Sequence, residues 1–126
     1  MRLEHVAVWT QDLERLRAFY VEQLGATAGE PYTNPRTGFR SYFLRFGEGA
    51  RIEIMSRPDV GPRGAGTPGG YAHIALALGS PQEVDALTRA LRERGVPVVS
   101  GPRLTGDGYY ESVVQDPDGN QIELCA

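Results

Sequence analysis

The chain has 126 residues, enough for one domain with a real core, and a formal net charge of −3. That balance gives no cationic field to collect phosphates, which argues against nucleic acid and anionic membrane as partners. Hydrophobic residues make up 40% of the chain, yet no uninterrupted apolar run approaches the roughly 20 residues that span a bilayer, so a small soluble ligand is the partner that fits.

Met1-Arg2-Leu3-Glu4-His5 leads straight into a strand pattern, without the charged-then-apolar order of a signal peptide, and a cytoplasmic location is expected. Leu13, Leu16, Tyr20 and Leu24 then recur at helical spacing, with Thr10 or Asp12 as the cap and Gly25 as the stop. Strands are predicted at 42–46 and 50–55, joined by the turn Gly47-Glu48-Gly49. Residues 57–70 are crowded with proline and glycine and read as a linker or flap. Within it, Gly64-Ala65-Gly66-Thr67-Pro68-Gly69 matches a dinucleotide-binding spelling only by accident, because proline interrupts it and no helix follows. A second strand pattern starts around His73, and a second helix is announced by Ser80 as cap, Pro81 in the first position and Glu83 completing a capping box. Gly95 ends it. Strands follow at 98–104, 109–115 and 121–125, the last two joined by Asp116-Pro117-Asp118-Gly119-Asn120, where proline presets one dihedral and glycine accepts a positive one. Cys125, the only cysteine, cannot form an internal disulfide and reads as a strand residue in a reducing compartment.

The two halves repeat each other. Glu4-His5-Val6-Ala7-Val8 returns as Ala72-His73-Ile74-Ala75-Leu76, and Arg51-Ile52-Glu53-Ile54-Met55 returns as Gln121-Ile122-Glu123-Leu124-Cys125, in the same order and at nearly the same offset. The chain is therefore read as one α+β domain over 1–126, built of two βαβββ modules at 1–56 and 71–126 with the linker 57–70 between them.

Strand alternation puts Val6, Val8, Ile52, Ile54, Ile74, Leu76, Ile122 and Leu124 under the helices. His5, Glu53, His73 and Glu123 are left together on the opposite side, with the small Ala7 and Ala75 beside the imidazoles. A lone strand histidine is usually a structural residue and a lone strand glutamate usually faces water. Here the only two histidines occupy equivalent repeat positions and the two glutamates another equivalent pair, which points to a metal. A divalent cation would neutralise two enclosed carboxylates while neutral imidazoles add two nitrogen donors, and Ni²⁺, Zn²⁺, Co²⁺, Mn²⁺ and Fe²⁺ all accept that set. Such a cation, bound to two adjacent oxygens of a substrate, would acidify the neighbouring C–H and stabilise the enediolate, with a ligand carboxylate as base.

The sequence resembles the vicinal oxygen chelate superfamily, and within it the metal-dependent glyoxalase I branch. The likeness runs along essentially the whole chain. It is carried by His5, the Asp12-Leu13 to Phe19-Tyr20 and Leu24-Gly25 helix pattern, Glu53, Gly70-Tyr71-Ala72-His73-Ile74-Ala75, the Asp116 to Asn120 turn and Ile122-Glu123. The resemblance implies a cupped, barrel-like mixed sheet of the glyoxalase/bleomycin resistance/dioxygenase fold, and a homodimer whose sites are shared between chains. It also implies proton transfer between adjacent carbons of a glutathione hemithioacetal by the residue matching Glu53 or Glu123, of which Glu123 is the preferred base.

Glyoxalase I enzymes usually carry an arginine four residues past the first ligand and an asparagine four past the second. This chain has Trp9 and Arg57 there. Trp9 shares the parity of His5 and is expected to line an apolar pocket; Arg57, with Arg45 and Arg103, is a candidate contact for an anionic substrate, and Tyr110 at the second hairpin tip a further candidate contact. Two rival readings are an iron(II) dioxygenase using one glutamate and both histidines, which the fourth ligand disfavours, and an antibiotic-binding or inactivating resistance protein.

Overall fold

The computed structural model describes residues 4–62, 64, 73–106 and 108–126. The chain divides into two compact units, Met1–Gly64 and Ala65–Ala126, the division falling inside the predicted linker. Part of that linker, and the Gly70-Tyr71-Ala72 lead into His73, lie outside the described residues.

The first unit opens with β1 (His5–Trp9) and α1 (Leu13–Leu24). Asp12 caps α1, its side chain accepting from the Arg15 N–H at 3.0 Å, and Gly25 ends the helix in the left-handed region at φ 72°, where a Cβ would be strained. Leu13, Leu16, Phe19 and Tyr20 form the buried stripe. Four strands follow: β2 (Thr27–Ala28), β3 (Tyr32–Asn34), β4 (Phe39–Arg45) and β5 (Arg51–Ser56). The sheet order is β1-β5-β4-β2, with β3 also pairing to β4; β1 and β5 are parallel and the other pairs antiparallel. The sequence names only two strands here, 42–46 and 50–55, which correspond to β4 and β5; β2 and β3 are additional. β2 and β3 lie along successive stretches of β4, Thr27 opposite Arg45 and Asn34 opposite Phe39, as one lane interrupted near Pro31, which has no N–H for the ladder. The unit thus keeps the predicted βαβββ layout with one strand broken in two. Its core is Leu44, Ile52 and Ile54 against α1.

The second unit contains β6 (His73–Ala77), α2 (Pro81–Glu93), β7 (Val98–Leu104), β8 (Tyr110–Gln115) and β9 (Gln121–Cys125), in the sheet order β6-β9-β8-β7. Its strand order repeats that of the first unit, with β6 and β9 parallel. The predicted N-terminus of α2 is present: the Ser80 hydroxyl oxygen accepts from the Glu83 N–H at 3.3 Å and the hydroxyl donates to the Glu83 carboxylate at 2.9 Å. Val84 and Leu91 pack on Val114, Ile122 and Leu124, all fully buried. β7 is irregular, with register shifts on either side of Ser100. Gly101 is obligatory in it, since a Cβ there would stand 2.5 Å from the Glu111 carbonyl oxygen at φ 80°. The β8–β9 turn is knotted by the buried Asp116, whose carboxylate accepts from the N–H groups of Asp118 (2.9 Å) and Asn120 (2.8 Å) and from the Asn120 side chain (2.8 Å). Each unit is an α+β body with a mixed sheet covered on one face by one helix. Among the described residues, no helix is long and apolar enough to cross a membrane.

Candidate metal centre

Alternation along β1 gives two sides to five residues. Val6 and Val8 pair in register with Ile52 and Ile54 on the helix side, so His5, Ala7 and Trp9 share the outer face with Arg51, Glu53 and Met55. Glu53 lies opposite Ala7, one step diagonally from His5, and the small alanine leaves the imidazole room to turn toward it. His5 Nε2 is 3.8 Å from Glu53 Oε2, with Glu53 only 16% exposed.

The other ring nitrogen is engaged as well. His5 Nδ1 meets the Glu4 carboxylate, whose second oxygen accepts from Arg51 Nη2, while the Glu4 carbonyl accepts from the Arg51 N–H at 3.0 Å. The His5 hydrogen bond, and after it Arg51 against some burial, holds the Glu4 carboxyl below its usual range. A carboxylate on Nδ1 fixes the proton there and leaves the Nε2 lone pair facing Glu53, the arrangement that supports a metal-binding imidazole. Phe43 sets its ring edgewise to His5 at 5.3 Å, and the Arg51 guanidinium lies over Phe43 at 4.0 Å.

The second unit repeats the pair. Glu123 lies opposite Ala75, and His73 Nε2 is 3.5 Å from Glu123 Oε2, again 16% exposed. Position 72 is alanine, so His73 has no counterpart of Glu4 at that position. For the same reason the repeat gave no signal for Glu4.

Both pairs are spaced beyond ordinary hydrogen-bond distance. Two donors about 2.1 Å from a common ion are themselves roughly 3.0–3.5 Å apart, so each imidazole and carboxylate fit a shared divalent ion after small side-chain rotations. Among the described residues no three histidine, cysteine, aspartate or glutamate side chains gather at one point; each unit presents one pair.

The remaining predicted site residues divide. Trp9 faces outward, 44% exposed, with Phe39 edgewise at 6.2 Å and the Arg57 guanidinium over its ring at 4.8 Å; Arg57 Nε also pairs with Asp59 at 2.6 Å. Tyr110 is turned the other way. It shares its side of β8 with Ser112 and Val114, and its hydroxyl donates to Asp85 of α2 at 2.7 Å, which raises the phenol's pKa and keeps the side chain off the face that carries Glu123. On that face the buried Glu111 binds Arg103 at 3.1 Å, and Arg103 also donates to Ser100 at 2.7 Å. Cys125 is buried, and burial, then Glu123 and Glu111, push its thiol pKa up, as suits a structural strand residue.

Known proteins share this fold. A model of the Glyoxalase/Bleomycin resistance protein/Dioxygenase superfamily matches residues 2–124. The chain is 33% identical over 129 residues to lactoylglutathione lyase of Salmonella typhimurium, covering 98% of this chain and 91% of that protein. It is 31% identical over 104 residues to mitochondrial methylmalonyl-CoA epimerase of Bos taurus, covering 79% of this chain but only 57% of that protein. Glyoxalase I of Leishmania major superposes with a TM-score of 0.81 at 26% identity, over 99% of this chain and 86% of that one. A glyoxalase family protein of Enterococcus faecalis gives the same TM-score at 25% identity, over 98% and 96% of the two chains. With a family match along nearly its whole length and a relative one-third identical, the chain belongs to the Glyoxalase/Bleomycin resistance protein/Dioxygenase superfamily.

Proposed function

We propose that this chain is a divalent-metal-dependent lyase or isomerase of glyoxalase I type, acting on a small substrate with two adjacent oxygens. The observation that carries the reading is the repetition of one histidine–glutamate pair, in the same register, on the outer face of both sheets. His5, Glu53, His73 and Glu123 would hold the ion, supplied by one chain or by two copies in a homodimer. A bound divalent ion supplies Lewis-acid polarisation of the substrate's oxygens.

The protein's own groups do the rest. Both imidazoles serve as neutral nitrogen donors, and Glu4 keeps His5 in the required tautomer. Glu123 takes the proton from one carbon and delivers it to the next, with Glu53 as the alternative base; each carboxylate is partly shielded from water, which favours such a transfer. The likeness to a lyase and to an epimerase supports this class, since both reactions need a base beside an acidified C–H. Trp9 and Arg57 flank the first pair and shape what approaches it.

The test is metal analysis of protein purified without added metal, then turnover of methylglyoxal plus glutathione with nickel, cobalt or zinc. Stoichiometric metal with turnover is expected, and Glu123→Gln or Glu53→Gln should lower turnover by about a hundredfold or more. Metal without turnover would keep the centre and reject this substrate; absence of metal binding would reject both, and undiminished activity in both variants would remove the glutamates as bases.

A further inference from the structure

The two halves place the same imidazole in different surroundings. His5 and His73 each open the first strand of their half, diagonal to a glutamate on the neighbouring parallel strand. Three positions around them differ. Directly opposite the histidine stands Arg51 in the first half and Gln121 in the second; opposite the glutamate, on the next strand, stands Phe43 in the first and Val113 in the second; the residue before the histidine is Glu4 in the first and alanine in the second. The three first-half residues are joined to one another. Arg51 donates through Nη2 to the Glu4 carboxylate, and its main-chain N–H donates to the Glu4 carbonyl at 3.0 Å, so side chain and backbone of Glu4 are tied to one residue. The Arg51 guanidinium lies 4.0 Å from the Phe43 ring centre, and that ring meets the His5 imidazole edgewise at 5.3 Å and 86°. Arg51 is the more enclosed partner of the ion pair, its side chain 23% exposed against 50% for Glu4.

We infer that Arg51 is a positioning residue for His5: it holds the Glu4 carboxylate on Nδ1 and Phe43 against the ring, so the first half meets an ion with its imidazole already set, while the imidazole of the second half is set by the ion itself. The two neutral tautomers of an imidazole differ little in energy, and a carboxylate on one nitrogen decides which nitrogen keeps the proton. A half-exposed carboxylate on a mobile side chain would do this only part of the time. An exposed ion pair adds little to stability, but the planar Arg51 guanidinium combines a charged hydrogen bond at its edge with a stack on a ring at its face, which fixes the direction of both partners. The glutamine at the same register position of the second half has no charge to offer, and the valine there has no ring. The inference deepens the proposed function by making its two halves unequal; it rests on that reading only for the use made of the ion, since the tautomer belongs to the chain alone.

The chain has only two histidines, so long-range proton–nitrogen NMR of the metal-free full chain, with both imidazoles neutral, reads the two rings separately, and His73→Gln assigns them. His5 is expected to carry its proton on Nδ1 and His73 to be a mixture of tautomers. Zinc should leave the His5 proton in place and collect His73 into the Nδ1–H form. Arg51→Gln, which gives the first half the residue of the second, should turn His5 into a mixture as well, leave His73 unmoved and weaken zinc binding roughly threefold to tenfold, with Arg51→Lys restoring part of both. Circular dichroism and denaturant unfolding verify that the variants are folded. A merely structural Arg51 would lower the unfolding midpoint and leave the His5 tautomer as it was; that result, or the same tautomer in both halves of the metal-free chain, would overturn the inference. Absence of zinc binding with the tautomers as expected would overturn the metal-dependent function and leave the role of Arg51 standing.

Discussion

The two sheets have the same strand order and carry the same histidine–glutamate pair, yet their outer faces differ. Around His5 the first sheet has Trp9, Phe39, Phe43 and Tyr32, two arginines stacked on rings, and Glu4 clasping the imidazole. Around His73 the second has Ala75, Ala77 and Val113, with the pair Arg103–Glu111 one row away. Duplication has preserved what a metal would need twice and has let the rest diverge. On the proposed function, this difference would put selectivity for substrate on the first sheet.

The largest effects test the likeness. Leu16 and Leu91 are each fully buried under their own sheet, so Leu16→Ala and Leu91→Ala should each cost about 2–5 kcal/mol in denaturant unfolding; a loss confined to one of them would show that the units do not share the work of stability. A smaller effect tests the asymmetry. Glu4→Ala frees the His5 ring and should weaken divalent-ion binding by roughly tenfold, with glutamine restoring part of it as a neutral acceptor, measured by calorimetry. Unchanged affinity would reduce Glu4 to a surface ion pair.

The smallest effect lies in how each helix is fastened. α1 is tied to β4 by Glu14, which accepts from Arg40 at 2.8 Å and from the Tyr42 hydroxyl at 3.0 Å; α2 is tied to β8 by the buried Thr88–Ser112 contact at 2.6 Å and by Asp85, which among the described residues accepts from the Tyr110 hydroxyl alone at 2.7 Å. Against the burial that pushes it up, hydrogen bonds from Arg17, Tyr42 and Arg40 hold the Glu14 carboxyl below its ordinary 4.5. A depressed carboxylate contributes stability above the ordinary value, and that contribution fades as pH falls through the folded one. Hydrogen exchange at acid pH should therefore show α1 loosening before α2, and Glu14→Gln should remove the pH dependence of that gap.

The sequence made the framework and the pairing of each histidine with a glutamate on one face legible because both depend on short-range rules applied twice. Alternation around His5 and Glu53, the Ser80-Pro81 start of α2 and the Asp116 turn are each decided within a few residues. What stayed hidden depends on register. Tyr32 could not be assigned to a face, because β3 has three residues, two of them polar, and only its pairing with β4 shows that the ring stands beside Phe39. Tyr110, which the sequence offers both as a substrate contact and as a packing residue of its strand, begins β8 with the parity of Ser112 and points to α2. Glu4 carries no sequence signal because its partner Arg51 is close only through the β1–β5 pairing and because the repeat has alanine at that position.

That pairing has a kinetic meaning. In each half the histidine comes from the first strand and the glutamate from the last, brought together as parallel neighbours. Parallel neighbours need a long loop to close before they meet, so neither histidine–glutamate pair exists until the first and last strands of its half have come together. An ion drawn to such a pair would select finished halves over nascent ones, and the order of assembly would itself guard against premature loading.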